Sequence, residues 1–255
     1  MDEHTLKDFL DEKYEHYNQP QFIDTDPVQI PHLFAEDQDR EIAGFLAATI
    51  AWGQRTTILK NMVRLLNLMD NAPYDFILNH QPPDLDRFRH FKHRTFNGED
   101  CTFFIRSIRN ICINHGGLGV LFQDLYLRHQ NIFDVLVDFR KVFFELSFPE
   151  RTKKHVANVL RGASAKRLNM YLRWFVRKDH RGVDFGLWNR IPARSLFIPL
   201  DVHTGNVARK LGLLQRKQND WKAVDELTGR LRTFDPEDPV KYDFALFGLG
   251  VYENF

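Results

Sequence analysis

The spacing of the apolar residues constrains this chain most. They recur three and four positions apart in segment after segment, and never settle into the every-second-residue alternation of a half-buried strand. Leu6, Phe9, Leu10 and Tyr14 form one helical stripe, Ile42, Phe45, Leu46 and Ile50 a second, and Ile58, Met62, Leu65 and Leu66 a third. Such stripes are buried against one another, which makes the fold all-α. Punctuation then divides the chain. Pro20, Pro27 and Pro31 make 19–36 an irregular crossing segment. Asp37 or Asp39 caps the next helix, which ends near Trp52-Gly53, and Thr56 or Thr57 opens another. A short helix falls at Tyr74–Leu78 in the Pro- and Asn-rich 70–100. Helices follow over Cys101–Asn114, Gly117–His129, Asn131–Phe148, about Glu150 to Leu160, 220–234 and 237–250. The total is roughly ten to twelve, in line with ordinary helix lengths. The long pieces 19–36, 80–100 and 178–198 are expected to be ordered by packing or function.

Composition removes several classes of protein. The chain of 255 residues can bury a core as one large domain or two small ones. It has no run of about 18 apolar residues, so a membrane-spanning helix is not expected. Its acidic start, MDEHTLKDFLDEKYEHYNQ, is unlike a secretory leader. Only Cys101 and Cys112 occur, which fits a reducing cytoplasm and falls short of the roughly four ligands of an iron–sulfur cluster.

The net charge of +1 conceals an asymmetry. From Arg151 to Lys217 there are 16 Lys/Arg against three Asp/Glu. A basic block in an otherwise acidic chain suggests a face for a polyanion.

Inside that block, Leu160–Leu213 carries the chemistry. Leu160-Arg161-Gly162-Ala163-Ser164 reads as a turn between two helices. Gly162 takes the positive φ that ends the first helix and Ser164 caps the second. The N–H groups of such a turn can bind phosphate. Lys166 falls in the first turn of the new helix, where the positive end of the dipole favours the neutral, nucleophilic form of an amine. Asp201 follows the apolar approach Leu196-Phe197-Ile198-Pro199-Leu200 and caps a further helix. A rigid carboxylate there can stabilise a cationic sugar. Each residue alone also has an ordinary role as C-cap, surface cation or N-cap.

Together these segments resemble the helix–hairpin–helix DNA glycosylases, the endonuclease III and 8-oxoguanine glycosylase superfamily. LRGASAKRLNMYL is similar to the family's hairpin, L-P-G-V-G followed by the catalytic Lys, which falls on Lys166. PLDVHTGNVARKLGL is similar to the segment bearing the catalytic Asp, which falls on Asp201. FLAATIAWGQRTTI is similar to the segment whose Gln probes the duplex, which falls on Gln54. The chain departs from the pattern in three respects. Arg161 and Ser164 stand where the hairpin has Pro and its second Gly. Lys166 and Asp201 are 35 residues apart, a longer connection similar to that of the archaeal 8-oxoguanine branch. The iron–sulfur cysteines are absent.

The resemblance implies a two-subdomain helical fold with a helix–hairpin–helix motif: 1–36 packing on the C-terminal subdomain, 37–160 a helical barrel, and 161–255 the hairpin's second helix, the Asp segment and the last helices. It implies base-excision repair of double-stranded DNA carrying a damaged base, an oxidised purine for instance, flipped into a pocket. Lys166 attacks C1′, Asp201 stabilises the sugar cation, and strand cleavage by lyase chemistry can follow. Gly162, Ser164, Arg161, Arg167, Gln54, Arg209 and Lys210 are then DNA contacts, with Trp52, Trp188 and Phe185 as candidates for the base pocket. No metal and no cofactor is required, although a monovalent cation can sit at the hairpin. A cytoplasmic monomer is expected. The competing readings are a helix–hairpin–helix nucleic-acid binder without catalysis, and a metal-dependent hydrolase at Asp201 and His203, which lacks any H-E-x-x-H motif.

Overall fold

The computed structural model of the chain describes residues 2–253 and 255. These residues fold as the all-α class requires. The β-structure among them is a ladder pairing Lys92–His93 antiparallel with Phe96–Asn97, together with a lone bridge between Ala163 and Asp220. No helix among them is long and apolar enough to cross a membrane. The chain divides into two compact units, Met1–Asp24 with Asn158–Phe255, and Thr25–Ala157.

The first unit contains α1 (Glu3–Tyr17), α9 (Lys166–Val176), α10 (Val202–Lys210), α11 (Trp221–Phe234) and α12 (Tyr242–Tyr252). Leu6 and Leu10 of α1 join Ile198, Leu200, Val207, Leu227, Leu231, Leu246 and Leu249 in one core. α1 lies close against α12 because Gly248 has no side chain: the Tyr17 ring occupies the place a Cβ would take. α12 starts later than its Asp-Pro pairs suggest, since Pro239 opens a separate 3-10 turn at Pro239–Lys241.

The second unit contains α2 (Gln29–His32), α3 (Asp37–Thr49), α4 (Arg55–Leu68), α5 (Pro73–Asn79), α6 (Gly98–Asn114), α7 (Leu118–His129) and α8 (Ile132–Phe143). Phe45, Phe104, Phe139 and Phe143 form its aromatic centre, with ring centroids 4.7 to 6.1 Å apart. Here the structure corrects several expected helix ends. Glu36 is the N-cap of α3; Asp37 and Asp39 lie inside the first turn, and Asp39 instead accepts the Tyr74 N–H at 2.8 Å. α4 begins directly after Gln54, ahead of Thr56. α8 stops at Phe143, because Phe144 and Phe148 turn back onto the Phe103 ring at 5.5 and 5.9 Å. No α-helix spans 150–160. Two 3-10 turns, Glu150–His155 and Val159–Arg161, take its place. The first is pinned by the buried Thr152 hydroxyl, which donates to Asp100 at 2.7 Å.

Candidate active site

The turn that precedes α9 is closed by its own backbone. The Asn158 carbonyl accepts from both Arg161 N–H (3.1 Å) and Ala163 N–H (3.2 Å). The Gly162 carbonyl accepts Trp221 N–H at 3.0 Å, which ties the turn to the start of α11. Gly162 takes φ +82°, as expected, and Ala165 is also left-handed at φ +51°, uncommon for a residue with a Cβ. Ala165 is the N-cap residue. Ser164 does not cap α9, and its carbonyl instead accepts from Asn169 Nδ2 at 3.2 Å. The N–H groups of Ala165 and Lys166 find no protein acceptor among the described residues.

Lys166 is the first residue of α9, and Lys166, Asn169, Arg173 and Arg177 share one face at helical spacing. Asp201 reaches the site by a different route. Leu196, Ile198 and Leu200 are buried and fix the approach, with the Ile198 N–H donating to Thr228 Oγ1 at 3.1 Å. Asp201 is the N-cap of α10, and its Oδ1 accepts Thr204 N–H at 3.0 Å. Its carbonyl accepts from Asn219 Nδ2 at 2.9 Å, and Arg209 Nη2 holds Asn219 at 2.6 Å. Two helix starts thus bring Lys166 Nζ to 3.9 Å from Asp201 Oδ2, with each side chain 24% exposed. Lys166 Nζ also lies 3.6 Å from Met170 Sδ.

Behind the pair lies a buried set of charges. Arg173 contacts Asp243, the second residue of α12, and sits 3.4 Å from Asp184. Burial pushes the Asp243 carboxyl up to about 6; Arg173 and Lys166 oppose the shift and the Asp201 charge adds to it. Arg177 contacts Asp179, Asp184 (3.1 Å) and Asp238 (2.8 Å), and donates to the Tyr14 hydroxyl (2.7 Å). These carboxylates drive its pKa up against the opposing effect of burial. The set explains the long connection 178–198. That segment folds back onto α9, with Phe185 and Trp188 N–H groups on the Trp174 and Phe175 carbonyls (2.6 and 2.8 Å) and both rings stacked on Phe175.

Several expected site residues are placed differently. Trp188 is 1% exposed between Phe175 and Tyr171, which makes it a packing residue and not a pocket wall. Phe185 is half-buried. Arg209 is spent on Asn219 and on the Arg216 carbonyl (2.8 Å). Arg167 is half-buried, and burial pushes its guanidinium down to about 10. Arg161 and Lys210 are exposed. Gln54, the exposed N-cap of α4, and the half-buried Trp52 belong to the second unit, where Trp52 stands edge-on to His93 at 4.9 Å and parallel to His155 at 6.0 Å. Among the described residues no group of three or more His, Cys, Asp or Glu could hold a metal ion, and His203 is an exposed residue beside Gly250.

The charged set around Asp243 leaves little mark on the sequence. Its signal is faint: arginines at four-residue spacing inside the apolar run of α9, where no solvated face is available.

The class thus defined is an all-α protein with an amine and a carboxylate held at two adjoining helix starts. Residues 26–252 match the family described as protein of unknown function (DUF2400), and the chain belongs to that family. No curated protein and no solved structure matches it.

Proposed function

We propose that this chain is a DNA glycosylase that excises a damaged base, with Lys166 as nucleophile, Asp201 as the stabilising carboxylate, and the 3-10 turns Glu150–His155 and Val159–Arg161 in place of the hairpin's first helix. The observation that carries this reading is the 3.9 Å approach of two residues 35 apart in sequence, each at a helix start and each a quarter exposed. An amine that only bound phosphate would not need a rigid carboxylate at that distance. The neutral Lys166 amine forms a bond to C1′ as the base departs with the electrons of the glycosidic bond. Asp201 lowers the energy of the positively charged sugar in between. Opening of the C1′–O4′ bond, with O4′ taking a proton and the nitrogen losing its extra one, converts that adduct into a Schiff base, which can eliminate the 3′ phosphate.

The surroundings suit a nucleic acid. The Ala165 and Lys166 N–H groups offer two unspent donors at the positive end of α9. Of the basic block, Arg173, Arg177, Arg181, Arg194 and Arg216 are answered by carboxylates within their own unit, whereas Arg161, Lys178, Lys210 and Lys217 are exposed. The expected partner is duplex DNA with a damaged base, and oxidised purines are the first lesions to test.

Borohydride trapping tests the reading. A covalent adduct on 8-oxoguanine or abasic duplex is expected with the wild type and none with Lys166→Gln. Absence of any adduct across a panel of damaged duplexes, with salt-sensitive binding retained, assigns the site to binding alone.

A further inference from the structure

The basic block of Arg151–Lys217 falls largely in the first unit, and the fold assembles a second concentration of cations in the other. The second unit, Thr25–Ala157, carries 16 Lys/Arg and 16 Asp/Glu, so it is neutral as a whole. Its charges are unevenly spread. Residues 51–69 hold Arg55, Lys60 and Arg64, residues 87–98 hold Arg87, Arg89, Lys92 and Arg94, and neither stretch contains an Asp or Glu. The two stretches meet, because α4 packs against both the 3-10 turn Pro82–Phe88 and the strand Lys92–His93. Arg64 Nη2 donates to the His90 carbonyl at 3.2 Å, Asn61 Nδ2 lies 2.9 Å from His93 Nδ1, and His93 Nε2 lies 3.0 Å from the Trp52 carbonyl.

Burial then sorts the side chains. Phe88, Phe91, His93 and Phe96 enter the interior, which leaves Arg89, Lys92 and Arg94 exposed between them; Lys60 and Arg64 are exposed on α4. Arg87 is spent on Asp70 (2.8 Å) and Asp84 (3.2 Å). Among the described residues no carboxylate pairs with the other five, and the one bond of Arg64 is to a carbonyl, which leaves its charge unanswered. Arg94 is the most informative of them. It sits in the two-residue loop between the paired strands at φ +52°, a conformation that favours Gly, Asn or Asp. Its guanidinium lies over Gly53, where a Cβ would come within 3.2 Å of Nη1. Neither packing nor an ion pair accounts for an arginine at an exposed left-handed position, and local strain of that kind is kept where a ligand uses it.

We propose that Lys60, Arg64, Arg89, Lys92 and Arg94 form a face of the second unit that binds the phosphate backbone of duplex DNA. Three of the five are guanidiniums, whose planar fork matches phosphate oxygens. Thr56 precedes Lys60 and Arg64 at four-residue spacing on the same side of α4, and its exposed hydroxyl is a further group that contacts phosphate. A membrane surface would call for exposed aromatic or long aliphatic side chains among the cations, and the two stretches expose one large hydrophobic residue, Val63. The inference rests on the proposed function only in taking duplex DNA as the polyanion.

Salt dependence of binding tests this. The variant Arg89→Gln/Lys92→Gln/Arg94→Asn removes three charges, and Asn tolerates the left-handed turn. Fluorescence anisotropy with a short undamaged duplex, over about 50 to 200 mM salt, gives the slope of log affinity against log salt. That slope should fall by about 2 to 3 in the triple variant. Lys60→Gln, on a different element, should lower it by about 1 and decides the matter if the triple variant fails to fold. Arg128→Gln, at an exposed cation of α7 outside the face, should leave it unchanged. An unchanged slope in the triple variant, an equal fall in Arg128→Gln and Lys60→Gln, or a wild type with no salt-dependent affinity overturns the inference. A triple variant that keeps the slope but no longer sediments with phosphatidylserine vesicles overturns it in favour of a membrane surface. Trapping keeps the two readings apart: a lowered slope in a protein that forms no adduct on any damaged duplex overturns the proposed function and leaves the face standing, whereas adduct formation with an unchanged slope does the reverse.

Discussion

Each unit of this protein buries a carboxylate beside an arginine, and the two carboxylates behave in opposite ways. Asp100, in the second unit, is fully buried and contacts Arg151. It also accepts from the Asn97 N–H (3.0 Å) and the Thr152 hydroxyl (2.7 Å), and His155 Nε2 stands 3.2 Å away. Burial pushes its proton affinity up, but His155, Asn97 and Thr152 together outweigh burial and hold it well below the usual carboxylate range. Asp243, in the first unit, is buried to nearly the same degree. It has the one guanidinium of Arg173 and faces a second carboxylate, so burial wins and the group titrates near 6. The number of donors, together with the heavier burial penalty on Asp243, separates them. A carboxylate saturated with donors is a fastener, whereas one left short of them and next to a like charge can exchange a proton at ordinary pH.

The largest effect that tests this contrast is on chemistry. Asp201→Asn keeps an N-capping side chain, so the melting temperature should move by no more than a few degrees while base release is abolished. Activity within a few-fold of wild type would remove the chemistry from the first unit. Asp100→Asn should do the reverse. It strips a buried counter-ion from Arg151 and lowers stability by about 3 kcal/mol, the low end for a broken buried pair because Arg151 is 35% exposed. Adduct formation per folded molecule should be unchanged. Urea unfolding and trapping on the same samples would show both.

The pH dependence of stability separates the two carboxylates next. For Asp100 the folded-state pKa is depressed, so its contribution is present above the unfolded value of 3.8 and is lost as pH falls toward the folded one. For Asp243 the folded-state pKa is raised. Its contribution is full below 3.8 and is lost as pH rises through about 6, on the order of 3 kcal/mol in all. Relative to wild type, Asp243→Asn should therefore gain stability between about pH 4 and 7, and Asp100→Asn should lose it progressively across the acid range just above its folded-state pKa. Denaturation midpoints taken across that range give both slopes. Slopes of equal sign would end the contrast.

The two halves of the contrast differ in how visible they are in sequence. The stripes of α1, α3 and α4 were legible because local periodicity and burial agree there. The α10 start was legible because Asp201 is a strong local signal, whereas Gly162 only brackets the α9 start, where Ala165 and not Ser164 is the N-cap. The region 150–160 was not, since its helical period yields to tertiary bonds from Thr152 and Arg151 to Asp100, 52 and 51 residues away. Asp243 was invisible for the same reason. Nothing within its own helix marks it, and its character comes from burial, from Arg173, 70 residues earlier, and from the charges of Asp201 and Lys166. Aromatic residues misled where packing partners were unknown: Trp188 reads equally as a pocket wall or as core until Phe175 and Tyr171 enclose it.

The smallest expected effect refines the same principle at the surface, on two adjacent cations. Arg209 is committed to the Asn219 side chain and the Arg216 carbonyl, and through Asn219 it supports the backbone of Asp201. Lys210 is exposed, with the Phe255 ring 5.8 Å from its ammonium. A cation fully engaged by its own fold releases no counter-ions on meeting a phosphate, whereas a solvated one does. Lys210→Gln should thus reduce the slope of log affinity for duplex DNA against log salt by about 1 and leave stability unchanged. Arg209→Gln should leave the slope alone and cost about 1 kcal/mol of stability through the lost hydrogen bonds. Fluorescence anisotropy over a salt series, paired with urea unfolding, distinguishes the two. If Arg209→Gln also flattens the slope, the residue contacts phosphate despite its internal partners, and saturation with internal bonds no longer predicts which charges serve the fold and which serve the ligand.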